Sequence, residues 1–432
     1  MNIEQLYQLF LQHPDICTDT RRIIPNALFF ALKGDNFDGN EFASLALENG
    51  CSYAIVDNPT VKKNDRYIIV DDILKTLQRL ANHHRRQLGI PILAITGTNG
   101  KTTTKELIGS VLTRKYEIGI TIGNLNNHIG VPLTLLKMTR NTAFGIVEMG
   151  ANHIGEIAGL CAIAEPDYGI ITNIGKAHLE GFGSLDGVKK AKGELYDYLE
   201  KNNGLAFVNT DDSTLQTMVN NRKLLKTHPY SATLFYVRLL NPDIEHPFLH
   251  FVINRNIKIE TSLLGEYNLN NILVAISIGL FLGVDINQIT DAICSYHPEN
   301  NRSQLIQTQN NTVYMDAYNA NPSSMEASIC NFAQINEADK LLILGDMLEL
   351  GCDSLPEHQH VINQLITFDF KNVWLVGNNF IKASQSQTYV QYPCFKTVDE
   401  AIDYIKTAPV KKHTILLKGS RGIHLEKALE YL

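Results

Sequence analysis

The chain predicts an α/β fold divided among more than one domain. Apolar runs alternate with helical patterns from about residue 90 to 300, and the alternation restarts at Thr312. Alternation of this kind builds mainly parallel sheets covered by helices. At 432 residues the chain also exceeds what one ordinary core holds, so two to three domains are expected. A further observation locates a ligand: Ile95–Glu106, ITGTNGKTTTKE, joins an apolar strand to a helix through a glycine-bounded turn.

Taken in order, residues 1–85 form a first unit without helix–strand repetition on the scale seen beyond residue 90. It carries the Arg21-Arg22 pair, a short apolar strand Leu28–Leu32 and the turn-rich Lys33–Gly39, and a helix through His83–Arg86 leads out of it. In residues 86–299 the expected strands are Ile92–Ile95, Phe144–Met149, Tyr168–Thr172 and Leu205–Val208. A β-leaning stretch, Tyr230–Leu264, precedes a buried helix near Asn271, and Pro298–Asn301 reads as a linker. Residues 300–432 make a second α/β unit, with strands at Thr312–Met315, Lys340–Leu344, Val373–Val376 and Thr414–Leu417.

Composition excludes several function classes. The formal net charge is −7, so there is no global basic footprint for nucleic acid or an anionic membrane. The longest apolar stretch, Ile272–Leu282, is broken by Ser277 and Gly279 and is too short to span a bilayer. MNIEQLYQLF at the start lacks the basic region and apolar core of a secretory signal. Cys17, Cys51, Cys161, Cys294, Cys330, Cys352 and Cys394 never form a CxxC pair and read as reduced thiols, with neither disulfide framework nor zinc site. A cytoplasmic protein is expected.

The chemistry centres on the glycine turn. Backbone N–H groups of Gly97, Thr98, Asn99 and Gly100 and the start of a helix would ring one lysine, the arrangement that holds a nucleotide triphosphate. Lys101 would reach the terminal phosphates, and the Thr102 hydroxyl would ligate Mg2+. Ile95 stands where the usual Walker A spacing wants its first glycine, so the loop is a variant. Leu107, Ile108, Val111 and Leu112 share the face of the following helix that meets the core.

Other constellations leave alternatives. Glu148 ends an apolar strand, where it is either a Mg2+ ligand facing the crevice or a loop ion pair or cap. His178 follows another strand and loop and is either a hydrogen-bonding loop residue or a ligand where a second metal is assembled. Lys189 and Lys190 read as a solvated helix face beside Lys192. Asp316 ends a strand ahead of an Asn-rich loop, and Lys418–Gly422 opens the last helix; either loop faces a ligand or supplies turns and caps.

The variant loop GTNGKTTT resembles that of the Mur ligase superfamily, which also includes folylpolyglutamate synthetase. Further blocks resemble the branch that adds a D-alanyl-D-alanine dipeptide: TDTRRIIPNALFFALKGDNFDG from Thr18, GNLNNHIGVPLTLL from Gly123, EMGANHIGEI from Glu148 and AHLEGFGSLDGVKKAKGEL from Ala177. DAYNANPSSM from Asp316, GDMLELG from Gly345 and LLKGSRG from Leu416 complete the series, which spans essentially the whole chain. The strand Trp374–Val376 and the following Gly377-Asn378-Asn379 lack the Asp-Asn-Pro-Arg motif of the diaminopimelate-adding relatives, and no Asn-Lys-x-Asp guanine-reading motif favours a GTPase switch.

The resemblance implies three domains: a small N-terminal α/β UDP-binding domain (1–85), a central P-loop ATPase domain with a mainly parallel sheet (86–299) and a C-terminal Rossmann-like α/β domain (300–432). It implies an ATP-dependent ligase, monomeric, joining D-alanyl-D-alanine to UDP-N-acetylmuramoyl-tripeptide through an acyl phosphate. Gly97 through Thr103 would hold the phosphates. Thr102 and Glu148 would serve one Mg2+, and Glu148 with His178 a second. Lys192 aligns with a lysine carbamylated in several members, where the carbamate supports the metal site. Asn268 and Asn271 match a G-x-x-N-x-x-N motif with Asn271 expected near adenine, while Arg302 and Asp316 would close on ATP from the third domain. Thr20, Arg21, Lys33 and Gly34 would hold the UDP portion, and Asn126, Asn127 and His153 the muramoyl-peptide. The loop Asn319–Ser324, with Asn319, Asn321 and Ser324, and the segment Lys418–Arg421 would face the dipeptide.

Overall fold

The computed structural model describes residues 1–240, 247–298, 301–335, 337, 339–385 and 391–432. Glu299 and Asn300 of the expected linker lie outside the described residues. Three main sheets succeed one another along the chain, each with helices packed against it.

The first sheet has four parallel strands in spatial order Ile16–Cys17, Leu28–Phe30, Tyr53–Val56 and Tyr67–Ile69. This corrects the expectation of a unit without helix–strand repetition. Strands of two to four residues carry too few positions for a period to show, and at Leu28 the strand was read because it opens a longer apolar run, Leu28–Leu32. The helix Ile73–Leu88 leaves this sheet, capped at its start by Asp72 and ended by Gly89 in the left-handed conformation.

The second sheet has six parallel strands in spatial order Lys226–Tyr230, Leu205–Asn209, Tyr168–Ile171, Ile92–Thr96, Phe144–Glu148 and Ile118–Ile120. Ile92–Thr96 is buried along its length, as expected of a central strand covered on both faces. The helix Lys101–Leu112 buries Leu107, Ile108, Val111 and Leu112 in one cluster with Ile272, Leu273 and Ile276 of the helix Leu269–Phe281. Full burial of each such side chain stabilises the fold by about 1.5–3 kcal/mol. The β-leaning stretch is a separate antiparallel sheet of Arg238–Leu240, His250–Ile253 and Ile257–Glu260.

The third sheet runs Gln304–Gln307, Thr312–Asp316, Thr414–Lys418, Lys340–Gly345, Val373–Val376 and Cys394–Phe395, parallel except for its first edge strand. All four strands expected in this unit are present, each within a residue of its expected end.

Candidate active site

In the second sheet the strand Ile92–Thr96 lies between Phe144–Glu148 and Tyr168–Ile171, with Ile95 opposite Glu148 and Thr96 opposite Ile171. The loops after these three strands therefore open on one edge, the crevice where such sheets bind ligands. Gly97 (φ 142°) and Gly100 (φ 78°) hold conformations that side-chain-bearing residues rarely adopt. A Cβ on Gly100 would sit 2.6 Å from Asn271 Oδ1, and one on Gly97 2.0 Å from Thr172 Oγ1, so both glycines are also required for space. Lys101 Nζ curls over its own loop, donating to the carbonyls of Gly97 (2.7 Å) and Thr98 (3.0 Å). The loop faces a cleft of about 1770 Å³.

Glu148 is clamped from several sides. Asn126 Nδ2 donates to its Oε1 at 2.8 Å, Lys105 Nζ stands 3.5 Å from its Oε2, and its backbone N–H donates to Thr121 Oγ1 at 3.0 Å. Lys105 is itself buried and donates to the Gly123 carbonyl at 3.1 Å. Burial pushes the Lys101 ammonium down to about 8, with Glu148 opposing that shift and Arg302 adding to it. Lys192, on the helix Leu185–Lys201, is pushed down to about 7 by burial and then by the Lys101 charge. Its Nζ reaches the Ala151 carbonyl at 3.4 Å and lies 5.4 Å from the centre of the Phe182 ring. Lys189 pairs with Asp186 on the outer face of that helix, as expected of a solvated position.

The third sheet's loops close over this edge. Asn321 Nδ2 donates to Asn99 Oδ1 at 2.8 Å, and Lys176 Nζ donates to Glu357 at 2.6 Å. His178 Nδ1 lies 2.5 Å from Glu349 Oε2, which holds the Glu349 carboxyl below its ordinary range. His178 takes a left-handed backbone (φ 50°), as does Glu349 (φ 64°). Arg302 stacks its guanidinium 3.7 Å from the centre of the Tyr318 ring. Asp316, opposite Lys418 in the sheet, is bound by Lys418 Nζ and by the Ser328 hydroxyl at 2.8 Å.

The cleft wall brings together Thr98, Asn99, Gly100, Lys101, Thr102, Thr103, Asn126, Asn127, Glu148, His178, Arg302, Asp316, Asn319 and Asn321 among the residues singled out from sequence. Others fall elsewhere. Asn271 and Asn268 form a buried chain behind the loop: Thr104 Oγ1 donates to Asn271 Oδ1, Asn271 Nδ2 to Asn268 Oδ1 and Asn268 Nδ2 to the Leu264 carbonyl. They hold the helix Leu269–Phe281 against the loop rather than facing the cleft. His153 is exposed and pairs with Glu156, leaving Asn152 and Glu156 on the wall. Ser324 completes the helix cap of Asn321, and Lys192 lies behind Ala151. Thr20, Arg21, Lys33 and Gly34 are away from the cleft; Arg21 pairs with Asp19, and Lys33 with Asp57 at 3.0 Å. From the first unit the wall takes instead Met1–Ile3 and one side of the helix Ile73–Leu88, including Arg79 and His83.

Sequence reasoning missed Lys105 and the roles of Tyr318 and Glu349. For Lys105 a signal existed: it shares the helical stripe of Ile108 and Leu112, a charge at an apolar position. Asn126 carried no such signal, because nothing local shows that its amide serves Glu148 rather than a substrate.

The donors fit a hard divalent cation. Thr102 offers a hydroxyl, and Glu148 Oε2 is a buried carboxylate oxygen without a hydrogen bond. No group of three His, Cys, Asp or Glu side chains with metal-holding geometry occurs among the described residues, so the remaining ligands would be phosphate oxygens and water.

Comparison with known proteins gives the same frame. The family description "Mur ligase middle domain" matches residues 95–279, "Mur ligase, glutamate ligase domain" residues 301–421, and "Mur ligase family, catalytic domain" residues 15–85. The UDP-N-acetylmuramoyl-tripeptide–D-alanyl-D-alanine ligase of Bacillus subtilis is 34% identical over 96% of this chain and 92% of its own, and that of Escherichia coli 32% over 96% and 93%. Crystal structure I of MurF from Acinetobacter baumannii superposes with a TM-score of 0.85 at 31% identity, covering 96% of this chain and 92% of that one. MurF from Thermotoga maritima in complex with ADP gives 0.84 at 25% identity, covering 98% and 97%. The chain belongs to the Mur ligase family, within its MurF branch.

Proposed function

We infer that the protein is an ATP-dependent amide ligase that joins D-alanyl-D-alanine to UDP-N-acetylmuramoyl-tripeptide. The observation that carries this is the meeting of two loops of the second sheet, the P-loop at Asn99–Asn321 and the loop after Ile171 at His178–Glu349, with loops of the third sheet around one cleft. A phosphate donor and an amine acceptor can be presented to one carboxylate there. The relatives' names supply the substrates.

The tripeptide's terminal carboxylate oxygen attacks the γ-phosphorus of ATP, and the bond to ADP breaks, leaving an acyl phosphate. The dipeptide amine then attacks the acyl carbon; the tetrahedral intermediate expels phosphate, the amine loses its proton, and an amide remains. Lys101 neutralises charge on the transferred phosphoryl group, and Arg302 adds a second cation from the third unit. Asn126 and Lys105 keep Glu148 aimed. Thr102 and Glu148 would hold Mg2+ with the phosphates, and His178 a second ion; when bound, the ions offset repulsion between an anionic nucleophile and ATP. Lys192 populates the neutral amine that reacts with CO2 to form a carbamate, because burial brings it to about 7.

In this reading residues 1–85 bind the UDP portion, 86–299 ATP and 300–432 the dipeptide, in a cytoplasmic monomer. The test is a ligation assay with UDP-muramoyl-tripeptide, ATP and a panel of amines, read by mass spectrometry. D-Alanyl-D-alanine should give the amide product. Product with diaminopimelate, lysine or glutamate and none with the dipeptide would refute the assignment.

A further inference from the structure

The junction between the P-loop and the third unit turns on one amide pair. Asn321 Nδ2 donates to Asn99 Oδ1 at 2.8 Å, and Asn99 Nδ2 lies 3.5 Å from Asn321 Oδ1. The backbone of Asn99 is fixed from the opposite side. Its N–H donates to Asn173 Oδ1 at 2.9 Å, and its carbonyl accepts from Thr172 Oγ1 at 2.6 Å and Asn173 Nδ2 at 3.1 Å. With the backbone held by the neighbouring strand end, the side chain points at the third unit.

Asn321 has a second partner. Its Oδ1 accepts from the Ser324 N–H at 2.9 Å, and its own N–H donates to Ser324 Oγ at 3.1 Å, forming the capping box of the helix Pro322–Gln334. Nearby, Ser323 Oγ accepts the Lys176 N–H at 3.1 Å. The segment carrying Tyr318 and Asn319, both on the cleft wall, is thus tethered at its end to the apex of the phosphate loop. Phosphates seated on that loop would rest beside this apex, so nucleotide and the start of this helix share one anchor.

We propose that Asn321 is a positioning residue that couples nucleotide on the P-loop to seating of the acceptor amine, through its hydrogen bond to Asn99. This rests on the reading that the third unit presents the acceptor. The two tasks of Asn321 can be separated. Asn321→Ser retains a capping oxygen but is too short to reach Asn99, whereas Asn321→Asp retains both the cap and an acceptor that the Asn99 amide can meet by turning over.

In steady-state assays at saturating ATP, Asn321→Ser should raise the KM for D-alanyl-D-alanine about tenfold, with Asn321→Asp in between, while the ATP affinity measured without dipeptide stays within about twofold. In hydrogen exchange, a non-hydrolysable ATP analogue should add protection to residues 317–325 of the unsubstituted protein and none to Asn321→Ser. An unchanged dipeptide KM, an equal loss of ATP affinity in the absence of dipeptide, or equal protection in Asn321→Ser overturns the proposal. If the unsubstituted protein makes no amide from the dipeptide, the functional reading fails, and the exchange measurement still decides the coupling.

Discussion

Lys105 Nζ and Glu148 Oε2 face one another at 3.5 Å, with 2% of each side chain exposed. The lysine stands one helical turn beyond Lys101, so the helix that follows the phosphate loop also carries the counter-charge of the strand-end carboxylate. Breaking a buried pair costs far more than the pair contributes, because the survivor keeps an uncompensated charge. Lys105→Met should therefore lower stability by about 3–5 kcal/mol, while Lys105→Met with Glu148→Gln should recover most of that. Denaturant melts of the single and double variants check this, and a double variant no better than the single would contradict it.

Among the described residues Lys101 donates only to carbonyls of its own loop, so its loss costs little stability and much catalysis. Lys101→Ala should slow ADP formation by at least ~100-fold, the scale of one lost electrostatic contact to a transition state. Near-normal turnover in a coupled ADP assay would remove the loop from the mechanism.

Among the described residues Lys192 has no carboxylate within bonding distance, and it touches the Ala151 carbonyl and the Phe182 ring. If its amine carries a carbamate, Lys192→Ala should be largely inactive and partly restored by formate or acetate, which replace the lost anion. An active variant, or one indifferent to the added acids, would count against the modification.

A pH effect on stability comes from His358, which is buried beneath the GDMLELG loop. Its Nε2 accepts from the Met347 N–H at 3.0 Å and its Nδ1 donates to the Ser354 carbonyl at 2.6 Å, which fixes a neutral ring. Burial lowers its pKa from 6.5, although Asp346 opposes the shift. The unfolded chain then binds the proton more readily than the folded one. The stabilisation is complete above the unfolded value and is lost as pH falls below about 6.5 toward the folded one. Thermal melts from pH 7.5 to 5 should show a falling Tm, and His358→Asn should flatten that slope.

The legible parts of the structure were those written in local pattern. Ile92–Thr96 and Phe144–Glu148 are buried parallel strands, and such strands read as unbroken apolar runs. The glycines of the phosphate loop announce their own backbone geometry. What the sequence concealed depends on partners distant in the chain. Asn271 lies 167 positions from Thr104, whose hydroxyl it accepts, and Asn126 sits 22 positions before the carboxylate it binds. An asparagine has the same local appearance whether its amide meets a ligand or a neighbour. The short strands Ile16–Cys17 and Tyr67–Ile69 were hidden for a simpler reason, since two or three residues do not make a period.

The proposed reaction order has the carboxylate take the γ-phosphoryl group before the amine arrives, and oxygen transfer decides it. With both oxygens of the tripeptide's terminal carboxylate labelled with ¹⁸O, an acyl phosphate must break at its carbon–oxygen bond. Mass spectrometry should then find one labelled oxygen in each released phosphate and one in the amide. Phosphate free of label, in a reaction that still forms the amide, would contradict that order.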